Sequence, residues 1–325
     1  MAALLVGLVT TGYAGARAWH EPAWPTDFDQ LWHAAQALVH GGKPYDAVGP
    51  GRAFQWDWPL YYPLPAVVLA TPFVALPVAW ARVAFSAAAG GVLGFALGNR
   101  LRTHWPLLLS ASYLIATSRT QWAPVLLATL WLPAAGVVIA AKPNVGLAVL
   151  AALRGRAFVI AAGAAAAITV IAFLVRPEWF AEWQRSIADA PHVVAPILMP
   201  GGFLLALAAL RYRRPDARLL LALACLPHTP SLYDLLPLFF LCRTLRECLA
   251  LAVLTHVLFW GFVQFGSGAS FNEYANNLGR ASLMVVYLPA LVAILARRNV
   301  ATDDRAVTVA DAMVSSSGNH AVQSH

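Results

Sequence analysis

Two carboxylates separated by one residue, Asp27 and Asp29, open a polar stretch from Thr26 to Tyr62 that also carries His33 and His40 and the aromatics Trp56, Trp58, Tyr61 and Tyr62. A carboxylate beside water can take the proton of an attacking hydroxyl or hold an acceptor, which is general-base chemistry. The competing reading is structural, because Asp is favoured at helix starts. Further along, Lys142-Pro143-Asn144 interrupts an apolar run. A lysine between apolar helices is costly unless paired, so it is a site candidate; its alternative is snorkelling to the interface. Arg119 and Gln121, then His192, then His228 and Tyr233-Asp234, add polar groups near expected helix ends. Arg119 also fits an interfacial anchor, and the tryptophans and tyrosines fit either sugar stacking or an aromatic belt. His228 and Asp234 fit a hydrogen-bonded helix break as well as a substrate site.

The elements that must position these residues are membrane helices. The chain has 325 residues, 60% hydrophobic and 11% charged, against about 25% charged in soluble domains. This excludes an ordinary globular enzyme and implies an all-α polytopic membrane protein. The net charge of +7 comes from arginines in short loops, the pattern that sets membrane orientation, and does not suggest nucleic acid. Phe28, Leu31, Trp32, Ala35, Leu38 and Val39 repeat at helical spacing, predicting an amphipathic helix over 28–40. Asp29, His33, Gln36 and His40 fall on its other face. Thr26 or Asp27 caps it, and Gly41-Gly42 with Lys43-Pro44 ends it. Such a helix is expected to lie on the membrane surface, apolar side down.

The arginine loops at 100–102, 154–156, 211–218, 243–246 and 297–298 all fit the cytoplasm. That arrangement gives about 10 to 12 crossings with both termini cytoplasmic, residues 19–62 outside, and external connections at 176–200, 227–234 and 266–281. Residues 1–18 are expected to be an uncleaved first helix. Residues 63–77 are expected to be juxtamembrane or re-entrant, and 119–153 to cross once or three times. Only three passes would bring Lys142 to the side of Asp27. Several segments fall short of the ~20 residues of a spanning helix, which suits helices lining an internal cavity. The body is expected over 1–296, with a disordered cytoplasmic tail over 297–325. Cys225, Cys242 and Cys248 show no ligand spacing and are expected as buried thiols.

The run Asp27-Phe28-x-x-x-Trp32-x-Ala34-Ala35-x-Ala37-Leu38-x-x-Gly41-x-x-Pro44-Tyr45 resembles the first external loop of glycosyltransferase family 87, whose pattern is D-F-x-x-Y-x-A-A-x-A-L-x-x-G-x-x-P-Y. Tyr62-Pro63-Leu64-Pro65, Gln121, Lys142-Pro143-Asn144 and Pro227-His228 before Tyr233-Asp234 are similar to later motifs of that family, in the same order. Trp32 stands for the usual tyrosine, Leu64 for a proline, Arg119-Thr120 precedes Gln121 where glycine is usual, and Asn144 replaces glutamine.

The resemblance implies a GT-C-like helix bundle in the cytoplasmic membrane of a prokaryote. It would move a hexose, most often mannose, from a polyprenyl-phosphate donor to a glycan or lipid acceptor on the extracytoplasmic side, with inversion. It implies Asp27 as base with Asp29 as alternate, Lys142 and Arg119 at the donor phosphate, and Tyr45, Tyr62, Gln121, Asn144, His228 and Asp234 around substrate. No cofactor is implied; some GT-C enzymes use a divalent ion, and no ligand cluster here calls for one. Two other readings share the pattern: a lipid or solute transporter, and a non-catalytic subunit on the same scaffold. The last predicts that Asp27 and Lys142 do not share a cavity.

Overall fold

The computed structural model describes residues 1–20, 24–188, 190, 193–227, 232–265 and 270–297. His192, His228 and the tail from 298 lie outside the described residues.

The helices are α1 Ala2–His20, α2 Asp27–Val39, α3 Pro44–Ala47, α4 Leu64–Ala70, α5 Val78–Leu97, α6 Leu101–His104, α7 Ala111–Ser118, α8 Ala123–Thr129, α9 Val137–Ala141, α10 Pro143–Ala152, α11 Gly155–Val175, α12 Trp179–Ile187, α13 Pro215–Cys225, α14 Leu245–Phe265, α15 Phe271–Ser282 and α16 Leu288–Ala296. A two-residue parallel pairing sets Val48 against Phe54 and Gly49 against Gln55. The chain is therefore an all-helical protein. Four of its stretches, Val78–Leu109, Gly155–Val175, Leu245–Phe262 and Phe271–Ala296, are long and apolar enough to cross a membrane.

Several remaining segments are short, and two of them stretch. Gly202–Arg211 and Leu232–Leu241 are 3-10 helices of ten residues each. At about 2.0 Å per residue such a run spans roughly 20 Å, against about 15 Å for the α form. Small residues set the tightest packing. In α5, a Cβ on Gly90 would fall 2.2 Å from Thr10 Oγ1, and one on Gly94 would fall 2.6 Å from the Ala2 carbonyl oxygen. The Gly90-x-x-x-Gly94 pair thus lets α1 and α5 approach backbone to backbone.

Contacts sort the loops into two ends. At one, Trp183 Nε1 in α12 donates to the Tyr61 carbonyl at 2.9 Å, and Ser186 Oγ to the Leu60 carbonyl at 2.8 Å. The Phe271 ring of α15 meets Trp58 at 5.3 Å. At the other end, Arg214 and Arg297 both reach Asp216 at 3.0 Å, with Arg243 3.7 Å away. Arg211 donates to the Leu295 carbonyl at 3.3 Å, Arg218 to the Ala151 carbonyl at 3.0 Å. His104, just past Arg100–Arg102, lies against the backbone of Phe239 and Cys242. The arginine loops thus gather at one end and the aromatic polar segments at the other.

The stretch 119–153 reverses twice. Gln121 meets Asp27, Trp131 meets His104 and Phe240, Lys142 returns to Asp234, and Ala151 and Ala152 end on Arg218. Gly146 permits the α9–α10 return, since a Cβ there would fall 2.7 Å from the Ile139 carbonyl oxygen.

The helix expected at 28–40 is present as α2, started at Thr26 and ended by Gly41 at φ 76°. Its second face is not solvated as expected. Asp29 is 1% exposed; Arg82 of α5 donates to its Oδ1 from Nε at 2.7 Å and to its Oδ2 from Nη2 at 2.5 Å. Gln36 Nε2 donates to the Val74 carbonyl at 2.8 Å, and His33 stacks on Phe54 at 4.1 Å. The helix is clamped between α5 and the loop that follows it. Residues 271–282 form α15, capped by Ser270, within the stretch expected as an external connection. One further expectation is corrected. Cys225 is exposed, while Cys242 and Cys248 are buried.

Removing one member of a buried ion pair leaves the other uncompensated, at about 3–5 kcal/mol. Arg82→Met is therefore expected to lower the thermal unfolding midpoint sharply. Arg82→Met with Asp29→Leu, which removes both charges, recovers most of the loss in the same measurement.

Candidate active site

The site begins with the cap of α2. Asp29 accepts from Thr26 N at 3.1 Å and from Thr26 Oγ1 at 2.9 Å while Arg82 holds its other lone pairs. Both oxygens of Asp29 are thereby committed to structure, which removes it as an alternate base. The same clamp fixes the backbone of Asp27, the first residue of α2, on the opposite side of the cap.

Asp27 is half-buried. Its Oδ2 accepts from Gln121 Nε2 and, at 3.1 Å, from the Tyr233 hydroxyl. Among the described residues, no hydrogen bond reaches its Oδ1. Gln121 also donates to the Tyr62 hydroxyl at 3.1 Å, and Tyr45 donates to the Tyr62 carbonyl at 3.3 Å. One carboxylate oxygen is therefore pinned and the other is left for a ligand. Burial pushes the Asp27 carboxyl above its ordinary range; Arg119, Lys142 and the bonds from Tyr233 and Gln121 act against that shift.

Lys142 sits in the break between α9 and α10, where Pro143 starts a new helix. Its Nζ lies 2.5 Å from Asp234 Oδ1 and 4.4 Å from the centre of the Tyr233 ring. Lys142 is 7% exposed and Asp234 is fully buried. Tyr233 therefore connects the two halves of the site, its hydroxyl on Asp27 and its ring under Lys142. Among the described residues the second oxygen of Asp234 has no partner, and a buried carboxylate oxygen left so marks unused accepting capacity.

Arg119 is exposed, and its charge acts on both Asp27 and Tyr274. Among the described residues no side-chain hydrogen bond holds its guanidinium. Next to it, Thr120 has φ 55°, left-handed backbone that a β-branched residue avoids at about 1–2 kcal/mol. Thr120 is 4% exposed, and the reversal at this residue turns Gln121 inward to Asp27 while Arg119 stays outward. Strain of this kind concentrates at functional sites.

The structure thus brings Asp27, Gln121, Tyr62, Lys142 and Asp234 together, with Tyr45 behind Tyr62 and Arg119 at the edge. Asn144 is not in the cluster's bonding: its Oδ1 accepts from Val145 N at 3.0 Å inside its own helix. Arg82 and the role of Tyr233 as the donor to Asp27 were not drawn from the sequence. An arginine inside the apolar run Val78–Leu97 was the available signal for the first. Among the described residues no three His, Cys, Asp or Glu side chains gather as metal ligands. Searches of protein-family models, of curated proteins and of solved structures gave no match for this chain.

If the left-handed turn carries strain, Thr120→Gly leaves the thermal midpoint unchanged or raises it. Ala116→Gly inside α7 costs about 1 kcal/mol and serves as the control in the same assay.

Proposed function

We propose that the chain is a membrane glycosyltransferase. It would carry a hexose, mannose first, from a polyprenyl-phosphate donor to a glycan or lipid-linked acceptor on the extracytoplasmic side of a prokaryotic cytoplasmic membrane. The observation that carries the reading is the split role of Asp27 at a half-buried position, with Oδ2 fixed by Gln121 and Tyr233 and Oδ1 bonded by none of the described residues. The resemblance of its surrounding motif supplies the reaction class.

In the proposed step the acceptor hydroxyl oxygen bonds to the anomeric carbon as the bond from that carbon to the phosphate oxygen breaks. The hydroxyl proton passes to Asp27 Oδ1, and the polyprenyl phosphate leaves with the electron pair. A raised carboxyl is better matched to taking that proton than an ordinary one. The negative charge growing on phosphate needs a cation. Arg119 is exposed and paired with no side chain among the described residues, so it is the direct partner in this reading. Lys142 has its charge offset by Asp234, which suits it to holding Tyr233 and shaping the local field. That Asp27 and Lys142 share Tyr233 favours this reading over a scaffold subunit, for which they would have no reason to meet.

The test is transfer of labelled mannose from polyprenyl-phosphate mannose by membranes containing the protein. Asp27→Asn is expected to lower transfer at least 100-fold, the usual order for a general base, while keeping the donors to its side-chain oxygen. Because burial disfavours the charged form at this position, the same variant unfolds at an equal or higher temperature than the parent. Retained activity would move the base elsewhere; lost activity with a collapsed midpoint would make Asp27 structural. The pH profile gives a second check. The base works only when deprotonated, so transfer rises with pH, and the acid limb lies above the ordinary carboxylate range because the Asp27 carboxyl is raised.

A further inference from the structure

At the end opposite Asp27, three arginines from separate segments converge on one tyrosine. Arg218 Nη1 donates to the Tyr212 carbonyl at 3.2 Å, Arg154 Nη2 approaches the same carbonyl at 3.5 Å, and the Arg154 guanidinium lies 6.0 Å from the Tyr212 ring centre. Arg213 bonds the Tyr212 hydroxyl. Among the described residues, no carboxylate pairs with Arg154, Arg213 or Arg218. Burial and the nearby Arg154 both hold Arg218 below the ordinary arginine value, with Asp216 alone acting against them. Beside the three, Arg211 Nε and Arg214 Nη1 are buried without an acceptor among the described residues. The nearest acid, Asp216, is already shared among Arg214, Arg243 and Arg297.

An apolar track leads to this cluster. In a 3-10 helix residues three apart eclipse each other, so Leu204, Leu207 and Leu210 of Gly202–Arg211 form one straight row. All three are exposed, at 38%, 42% and 71%. Six residues at about 2.0 Å make the row about 12 Å long, close to one leaflet of a hydrocarbon core about 30 Å thick. It ends two residues before Tyr212. Arg218 is spent on the backbone, donating to the carbonyls of Ala151, Tyr212, Arg213 and Ala152, whereas Arg154 and Arg213 are exposed. A straight apolar row that ends beside exposed guanidinium groups with no carboxylate partner among the described residues complements an acyl chain below a phosphate. Orientation rules require arginines in these loops, but not that three of them meet without an acid at the foot of a leucine row.

We propose that Arg154 and Arg213, with the Leu204–Leu207–Leu210 row, bind one anionic phospholipid, its phosphodiester on those two guanidinium groups, while Arg218 braces the loop through its carbonyl bonds. The site is independent of the transfer chemistry. A zwitterionic lipid brings its own cation and gains less from uncompensated arginines; a cationic residue near an anionic lipid surface contributes about fivefold in affinity.

The experiment uses the full chain in neutral detergent. Native mass spectrometry counts retained lipid, and thermal unfolding is followed with phosphatidylglycerol, phosphatidylcholine or inorganic phosphate added. Phosphatidylglycerol is expected to be retained and to raise the midpoint, and the other two are not. Arg154→Gln with Arg213→Gln, both at exposed positions, is expected to weaken retention roughly 25-fold. Arg100→Gln with Arg102→Gln, an equal charge change elsewhere, leaves it unchanged. Leu207→Ser touches no arginine and weakens retention by loss of chain contact. Equal retention of phosphatidylcholine, an equal rise with inorganic phosphate alone, or an equal loss in the Arg100 and Arg102 control overturns the site.

Discussion

A charge placed inside an apolar body must find its opposite, and the Lys142–Asp234 pair is where the architecture answers that demand. Neither residue is accessible enough to be solvated, and each comes from a different part of the chain. Lys142 lies in a helix break and Asp234 in a stretched 3-10 segment. Holding them 2.5 Å apart fixes how the reversals of residues 121–153 sit against 232–241. It also sets the Tyr233 ring beneath the lysine. The Asp29–Arg82 pair imposes the same constraint between α2 and α5, and it fixes the cap from which Asp27 projects.

The short helices follow from this constraint. A segment that must deliver a polar residue to an interior cluster cannot continue as a regular helix past that residue. The chain breaks at Thr120 and at Lys142-Pro143, and each break places a polar side chain at one end of the bundle. Where length is insufficient, the backbone stretches into 3-10 form, and the π-helical turn Leu283–Tyr287 shifts the register between α15 and α16. Tyr287 at that turn is buried within the electrostatic reach of Asp234. Irregular backbone at membrane depth is tolerated where protein surrounds it.

The candidate site itself is a division of labour between two neighbouring carboxylates. Asp29 is saturated by donors and carries structure. Among the described residues, Asp27 is held through one oxygen. They differ because the first residue of a helix points away from the third across the cap, so one meets α5 and the other meets Gln121 and Tyr233. A pinned oxygen orients the group without consuming its basicity at the free one, and partial burial raises its affinity for a proton.

Sequence alone determined the helical class, the amphipathic helix after the first segment with its cap and its glycine stop, and the clustering of arginines in loops. These are local properties: periodicity, end residues and composition act over a few turns and need no partner. It also flagged Asp27, Lys142, Gln121 and Asp234, because polar residues are rare in such a chain. It could not decide that Asp29 is buried on Arg82, since a half-polar helix face looks the same whether it meets water or a buried arginine 53 residues away. Nor could it place the two reversals within residues 119–153, because short apolar runs have the same composition either way. Only the tertiary structure decided these, by requiring each interior charge to meet its counter-charge, and that requirement placed Lys142 beside Tyr233 and Asp27.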